Sequence, residues 1–103
     1  MEDNKKIQEM QILEQSLQNI LLQKQAFQME LSETETALKE IESSDDEVYK
    51  IIGQLMIKTK KETINSDLNE KKKILSIRLK NLDKQENSLN EQIEKIRDEV
   101  FNK

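Results

Sequence analysis

Val48-Tyr49-Lys50-Ile51-Ile52-Gly53-Gln54-Leu55-Met56-Ile57-Lys58-Thr59 is the stretch that decides the fold. It holds the single glycine of a 103-residue chain that has no proline. The runs on either side of that glycine are apolar and rich in β-branched residues, as strands of a hairpin are. A two-residue loop of Gly53-Gln54 puts Gly53 at the first central position of a type II′ turn, which demands positive φ. Ile52 then faces Leu55, Ile51 faces Met56, and Lys50 faces Ile57. Both faces of the ribbon carry apolar side chains. A lone hairpin is marginal in water, and this one has two unpaired edges as well. It therefore predicts an oligomer in which several ribbons pair edge to edge.

Outward from the hairpin the pattern changes to that of a helix. Upstream, Met10, Leu13, Leu17, Ile20, Lys24, Phe27, Leu31, Thr34, Leu38 and Ile41 are spaced alternately by three and four, and only Lys24 and Thr34 are not clearly apolar. Such spacing draws one narrow apolar seam down a helix, as in a coiled coil. Ser43-Ser44-Asp45-Asp46-Glu47 interrupts it with residues that favour turns and helix ends. Downstream, Leu68, Lys72, Leu75, Leu79, Leu82, Glu86, Leu89, Ile93, Ile96 and Val100 form a second seam, widened near the hairpin by Ile64, Ile74 and Ile77. Because a hairpin reverses the chain, the two arms run antiparallel, with Ile41 near Ile64 and Met10 near Ile93 and Ile96. The expected fold is mainly α: a long antiparallel two-helix coiled coil, roughly 55–60 Å at 1.5 Å per residue, joined by one β-hairpin. One domain, 1–103, is expected to divide into a helix over 5–43, a hairpin over 47–60 and a helix over 61–101.

Composition narrows the function. Charged residues are 37% of the chain and aromatics 3%, too lean for a conventional core but suited to long helices. With no cysteine there is no disulfide, thiolate nucleophile or Cys-based metal site, and with no histidine the commonest general base and metal ligand are missing. No glycine-rich phosphate loop exists. An enzyme has nowhere to build a water-excluded site, and no cofactor is expected. Asp45-Asp46-Glu47 lacks the alternating ligands of a calcium loop. No apolar run reaches the roughly 18 residues of a membrane span, and Met1 to Lys6 lack the apolar centre of a signal peptide. The cytosol is the expected location. The net charge of −4 argues against nucleic acid. That charge is uneven: residues 1–47 carry 12 acidic and 4 basic side chains, whereas 48–103 carry 9 and 13. The arms attract each other if they lie side by side.

The segment Asp46 to Glu62, above all its Val-Tyr-Lys-x-x-Gly-x-Leu-x-Ile-Lys core, resembles the central segment of β-class prefoldin subunits. Gln23-Lys24-Gln25 and the run from Arg78 to Glu86 resemble the same family, in its archaeal form or a close relative. The resemblance implies a hexamer of two α-type and four β-type chains whose hairpins join into β-barrels. It implies an ATP-independent holdase that captures unfolded polypeptide at coiled-coil tips and delivers it to a group II chaperonin. On that likeness Val48, Ile51, Ile52, Leu55, Met56 and Ile57 carry assembly and Gly53 sets the turn. Client contact falls on Ile7, Met10, Ile12, Leu13, Ile93, Ile96, Val100 and Phe101. Several of these are seam residues whose surface can be spent on the opposite arm, whereas Ile7, Ile12 and Phe101 lie off the seam. The Gln-rich run from Gln8 to Gln28 and Lys71-Lys72-Lys73 read as solvated helix faces. The competing interpretation is a structural coiled-coil adaptor that binds one defined protein partner and needs no exposed apolar tips.

Overall fold

The structure, a computed structural model, describes residues 2–45 and 47–101, and for Glu2 the backbone alone. Asp46, the first residue of the family-like segment, lies outside the described residues. Four elements follow one another: α1 (Glu2–Glu42), β1 (Glu47–Ile52), β2 (Leu55–Lys60) and α2 (Lys61–Phe101). Each helix has 41 residues. The mainly α architecture of two long helices and one antiparallel hairpin is the one the sequence predicts.

Why α1 stops at Glu42 is visible in its hydrogen bonds. The last four carbonyls of a helix have no partner within it. Here each finds one nearby. Ser43 donates its hydroxyl to the Lys39 and Glu40 carbonyls (3.3 and 3.2 Å) and its amide to Lys39. Ser44 donates both hydroxyl and amide to the Ile41 carbonyl, at 2.8 and 3.2 Å. Lys61, at the start of α2, sends its Nζ back to the carbonyls of Glu42 (3.3 Å) and Ser44 (3.0 Å). Its charge also suits the negative end of a helix.

The chain resolves into two compact units. The first combines residues up to Phe27 with those from Arg78 onward. Its core is Ile20, Leu82, Ile93 and Ile96, all buried seam residues. Ion pairs run across its helices from Lys6 to Glu99 (3.3 Å), Glu14 to Arg97 (4.0 Å) and Lys24 to Asp83 and Glu86 (2.7 and 2.8 Å). As numbers rise in α1 they fall in α2, so the helices of this unit are antiparallel. Arg78 lies over the Phe27 ring, 5.7 Å from its centroid, in cation–π contact.

The second unit is Gln28–Ile77. Leu75 and Thr34 are its buried seam residues. Thr34 satisfies its hydroxyl within α1, on the Glu30 carbonyl at 2.8 Å, which is how a polar residue sits in an apolar seam without an orphaned donor. Glu30 also pairs with Lys71 at 3.2 Å, again antiparallel. Ile41 and Ile64 line one groove, as the reversal of the chain requires.

Candidate assembly and client-binding surfaces

The hairpin register is Ile52↔Leu55, Ile51↔Met56, Lys50↔Ile57, Tyr49↔Lys58, Val48↔Thr59 and Glu47↔Lys60. Gly53 has φ +61°, and no described non-glycine residue has positive φ. Gln54 at negative φ rules out a type I′ turn, which needs positive φ at both central residues, and leaves type II′. A Cβ added at Gly53 would meet no atom within 4 Å, so the glycine is there for its backbone angle and not for space.

Successive side chains of a strand point to opposite faces. Val48, Lys50, Ile52, Leu55, Ile57 and Thr59 share one face; Glu47, Tyr49, Ile51, Met56, Lys58 and Lys60 share the other. Ile51 is 70% exposed and Met56 68%, while Ile52, Leu55, Ile57 and Tyr49 are also exposed and Val48 is half-buried. Fully burying one such aliphatic side chain is worth about 1.5–3 kcal/mol. Five of them together supply on the order of 10 kcal/mol, comparable with the ~4–15 kcal/mol that association costs in lost freedom. Those five lie on both faces, so covering one face leaves a large part of the cost unmet, and covering both brings the gain level with it. The Glu47–Lys58 pair at 3.1 Å is solvent-exposed on both sides and adds little.

The eight residues of the expected client surface separate by burial. Ile12 and Phe101 are 65% and 63% exposed. Ile7, Met10, Leu13 and Val100 are half-buried. Ile93 and Ile96 are buried at 6% and 8%, so their surface is already spent on the seam. Leu22 and Met29, which the sequence reading passed over, are each 61% exposed. Their spacing of seven, off both seam positions, was the available signal.

The first unit also contains a charged seam layer. Lys24 Nζ reaches Asp83 Oδ1 at 2.7 Å and Glu86 Oε1 at 2.8 Å, with most of its side chain covered. Hydrogen bonds to Asp83 and then to Glu86 raise the Lys24 ammonium above the ordinary lysine range, against a smaller opposing effect of desolvation. Lys24 and Glu86 each interrupt a seam, and the fold puts the two interruptions together. Among the described residues no helix is long and apolar enough to cross a membrane.

Comparison with known proteins covers nearly the whole chain. A family model described as "Prefoldin subunit" matches residues 4–103. Prefoldin subunit beta of Thermococcus kodakarensis is 44% identical over 85 residues, 81% of this chain and 73% of that protein. Its counterpart in Archaeoglobus fulgidus is 37% identical over 98 residues, 93% and 84% of the two chains. The crystal structure of the prefoldin beta subunit from Thermococcus strain KS-1 superposes with a TM-score of 0.90 at 37% identity, covering 96% of this chain and 89% of that one.

Proposed function

We propose, from the premise that this chain belongs to the prefoldin family of chaperone subunits, that it is the β-type subunit of an ATP-independent holdase. Residues 1–103 act as one prefoldin-like domain in the cytosol, without enzymatic activity. Two α-type and four β-type chains make the hexamer, held by hairpins that close into β-barrels. Val48, Ile51, Ile52, Leu55, Met56 and Ile57 form that contact and Gly53 shapes it. Unfolded polypeptide is captured near the chain ends and passed to a group II chaperonin. Ile12 and Phe101 are the strongest client contacts because they are exposed; Ile7, Met10, Leu13 and Val100 offer part of their surface. Ile93 and Ile96 are buried in the seam and contribute only when a client opens it.

The observation that carries the reading is a hairpin whose apolar side chains on both faces are exposed among the described residues. Light scattering of this chain mixed with an α-type subunit tests it: a complex of about six chains is expected, and failure to form any large complex removes the reading. Replacing Ile7, Ile12 and Phe101 together by serine is expected to weaken suppression of client aggregation while the complex survives. Unchanged suppression excludes those residues from the client surface. Binding of one partner and indifference to several unrelated unfolded proteins would instead identify a structural adaptor.

A further inference from the structure

The two helices of the first unit turn very different faces to solvent. On α1, Gln8, Ile12, Gln15, Asn19, Leu22 and Ala26 follow one another at steps of four and three, offset from the seam, and all six are exposed. Gln11, Gln18 and Gln25 flank that line at intervals of seven and are exposed too. These nine positions make up the side of the helix opposite the seam, and none carries a charge. On α2 the equivalent nine positions between Lys80 and Asp98 are also exposed. Six of those are charged: Lys80, Lys84, Glu91, Glu94, Lys95 and Asp98.

A helix face that meets only water has no reason to avoid charge in a chain whose residues are 37% charged, and the α2 face shows the ordinary outcome. In the sequence the glutamines of α1 pass for a solvated face. The structure sets Ile12 and Leu22, 65% and 61% exposed, in line with them. Six side-chain amides, each offering donors and an acceptor oxygen, thus alternate with apolar side chains. Unpaired backbone N–H and C=O groups beside apolar side chains are what an unfolded polypeptide presents. The face is about 27 Å long at 1.5 Å per residue, enough for an extended segment of about eight residues.

The missing charge also argues against other occupants. A folded partner is held in register by placed charges, and this face has none; an unfolded segment has no register to hold. A second copy would bring the large apolar side chains on these positions to four. That is fewer than the five whose burial only matches the cost of association at the hairpin.

We propose that the outward face of α1 from Gln8 to Ala26 is a client track. An unfolded polypeptide held at Ile12 lies along it in extended form, its backbone on the amides and its apolar side chains on Leu22 and Ala26. The inference rests on the holdase reading above and extends the client surface along one helix of the arm only.

Two unfolded probe peptides of equal length and apolar content, one glutamate-rich and one lysine-rich, test it by fluorescence anisotropy on the complex with an α-type subunit. Leu22→Gln is expected to weaken both probes about fivefold; unchanged binding overturns the track. Gln18→Glu with Gln25→Glu is expected to weaken the glutamate-rich probe about tenfold and not the lysine-rich one. Asn81→Glu with Asn87→Glu adds the same charge to the outward face of α2 and is expected to leave both probes at wild-type affinity. Equal discrimination by the α1 and α2 variants overturns the track, since net charge alone then accounts for it. Circular dichroism and native mass are expected to show wild-type helicity and complex size for all three. A complex lost with Leu22→Gln assigns the face to contact between subunits and overturns the track. A wild-type complex that binds neither probe yet suppresses client aggregation overturns the track alone. One that does neither removes the holdase reading and this inference with it.

Discussion

The seam of the first unit and the hairpin ribbon are built from the same aliphatic residues and end in opposite states. Ile20, Leu82, Ile93 and Ile96 are covered within one chain, because two helices offer each other one apolar stripe apiece. Ile51, Ile52, Leu55 and Met56 are left in water, because a two-stranded ribbon that is apolar on both faces has no second layer. The stretch that looks most like core by composition is thus the least buried. Helical arms are complete alone; the hairpin is complete only in company.

Breaking the open half should have the largest effect. Ile51→Asp with Met56→Asp places two charges on one ribbon face and is expected to abolish assembly at micromolar concentrations, read by native mass. Helicity should be unchanged, since both residues are mostly exposed. Loss of helicity would mean that the hairpin supports the arms and that the contrast is false. The closed half answers differently. Leu82→Ala removes a buried seam residue and should destabilise the fold by about 2–3 kcal/mol, the lower part of the range for core truncations, in denaturant titrations. Assembly of the still-folded protein should persist.

Between the two lies the turn. Gly53→Val forces a β-branched residue to φ near +60°, at a cost of about 1–2 kcal/mol or more. Assembly should weaken about tenfold or more. Gly53→Asn, which tolerates that region, should weaken it much less. Equal effects from valine and asparagine would locate the damage in the interface instead of the backbone. The smallest effect concerns the charged layer. A lysine whose folded pKa is raised contributes stability in full below its unfolded pKa and loses it as pH rises through the folded value. The difference in melting temperature between wild type and Lys24→Met should therefore be constant near neutrality and shrink in strongly alkaline solution. A difference that persists there assigns the effect to packing of the lysine stem.

The hairpin was legible because one glycine in a chain without proline leaves little choice of turn, and a two-residue loop fixes the register from the three pairs nearest it. The seams were legible from their apolar spacing at period 3.5. What the sequence hid depends on contacts between distant residues. Lys24 and Glu86 each look like a defect in their own helix and become a pair only across it. Lys61 reads as one more exposed lysine, yet its Nζ completes the end of α1. Ile7 and Ile12 both lie off the seam, but Ile7 is three residues before Met10 and shares its side of the helix, whereas Ile12 faces away. Period alone separates seam from surface and does not grade the residues at its border.

Lys61 has one more consequence, for the order in which the chain organises itself. Its contact with Glu42 closes a loop spanning 19 positions, whereas the Lys6–Glu99 contact closes one nearly five times longer. Loop-closure entropy makes the short closure cheaper by about 1.4 kcal/mol. Pairing of the helices therefore starts at the hairpin root and zips toward the chain ends. A chain emerging from the ribosome cannot begin that zip until α2 has started to appear, and from then on each added turn finds its partner already waiting. Pulse-labelled hydrogen exchange during refolding should accordingly protect amides near Glu42 and Ile64 before those near Met10 and Ile96.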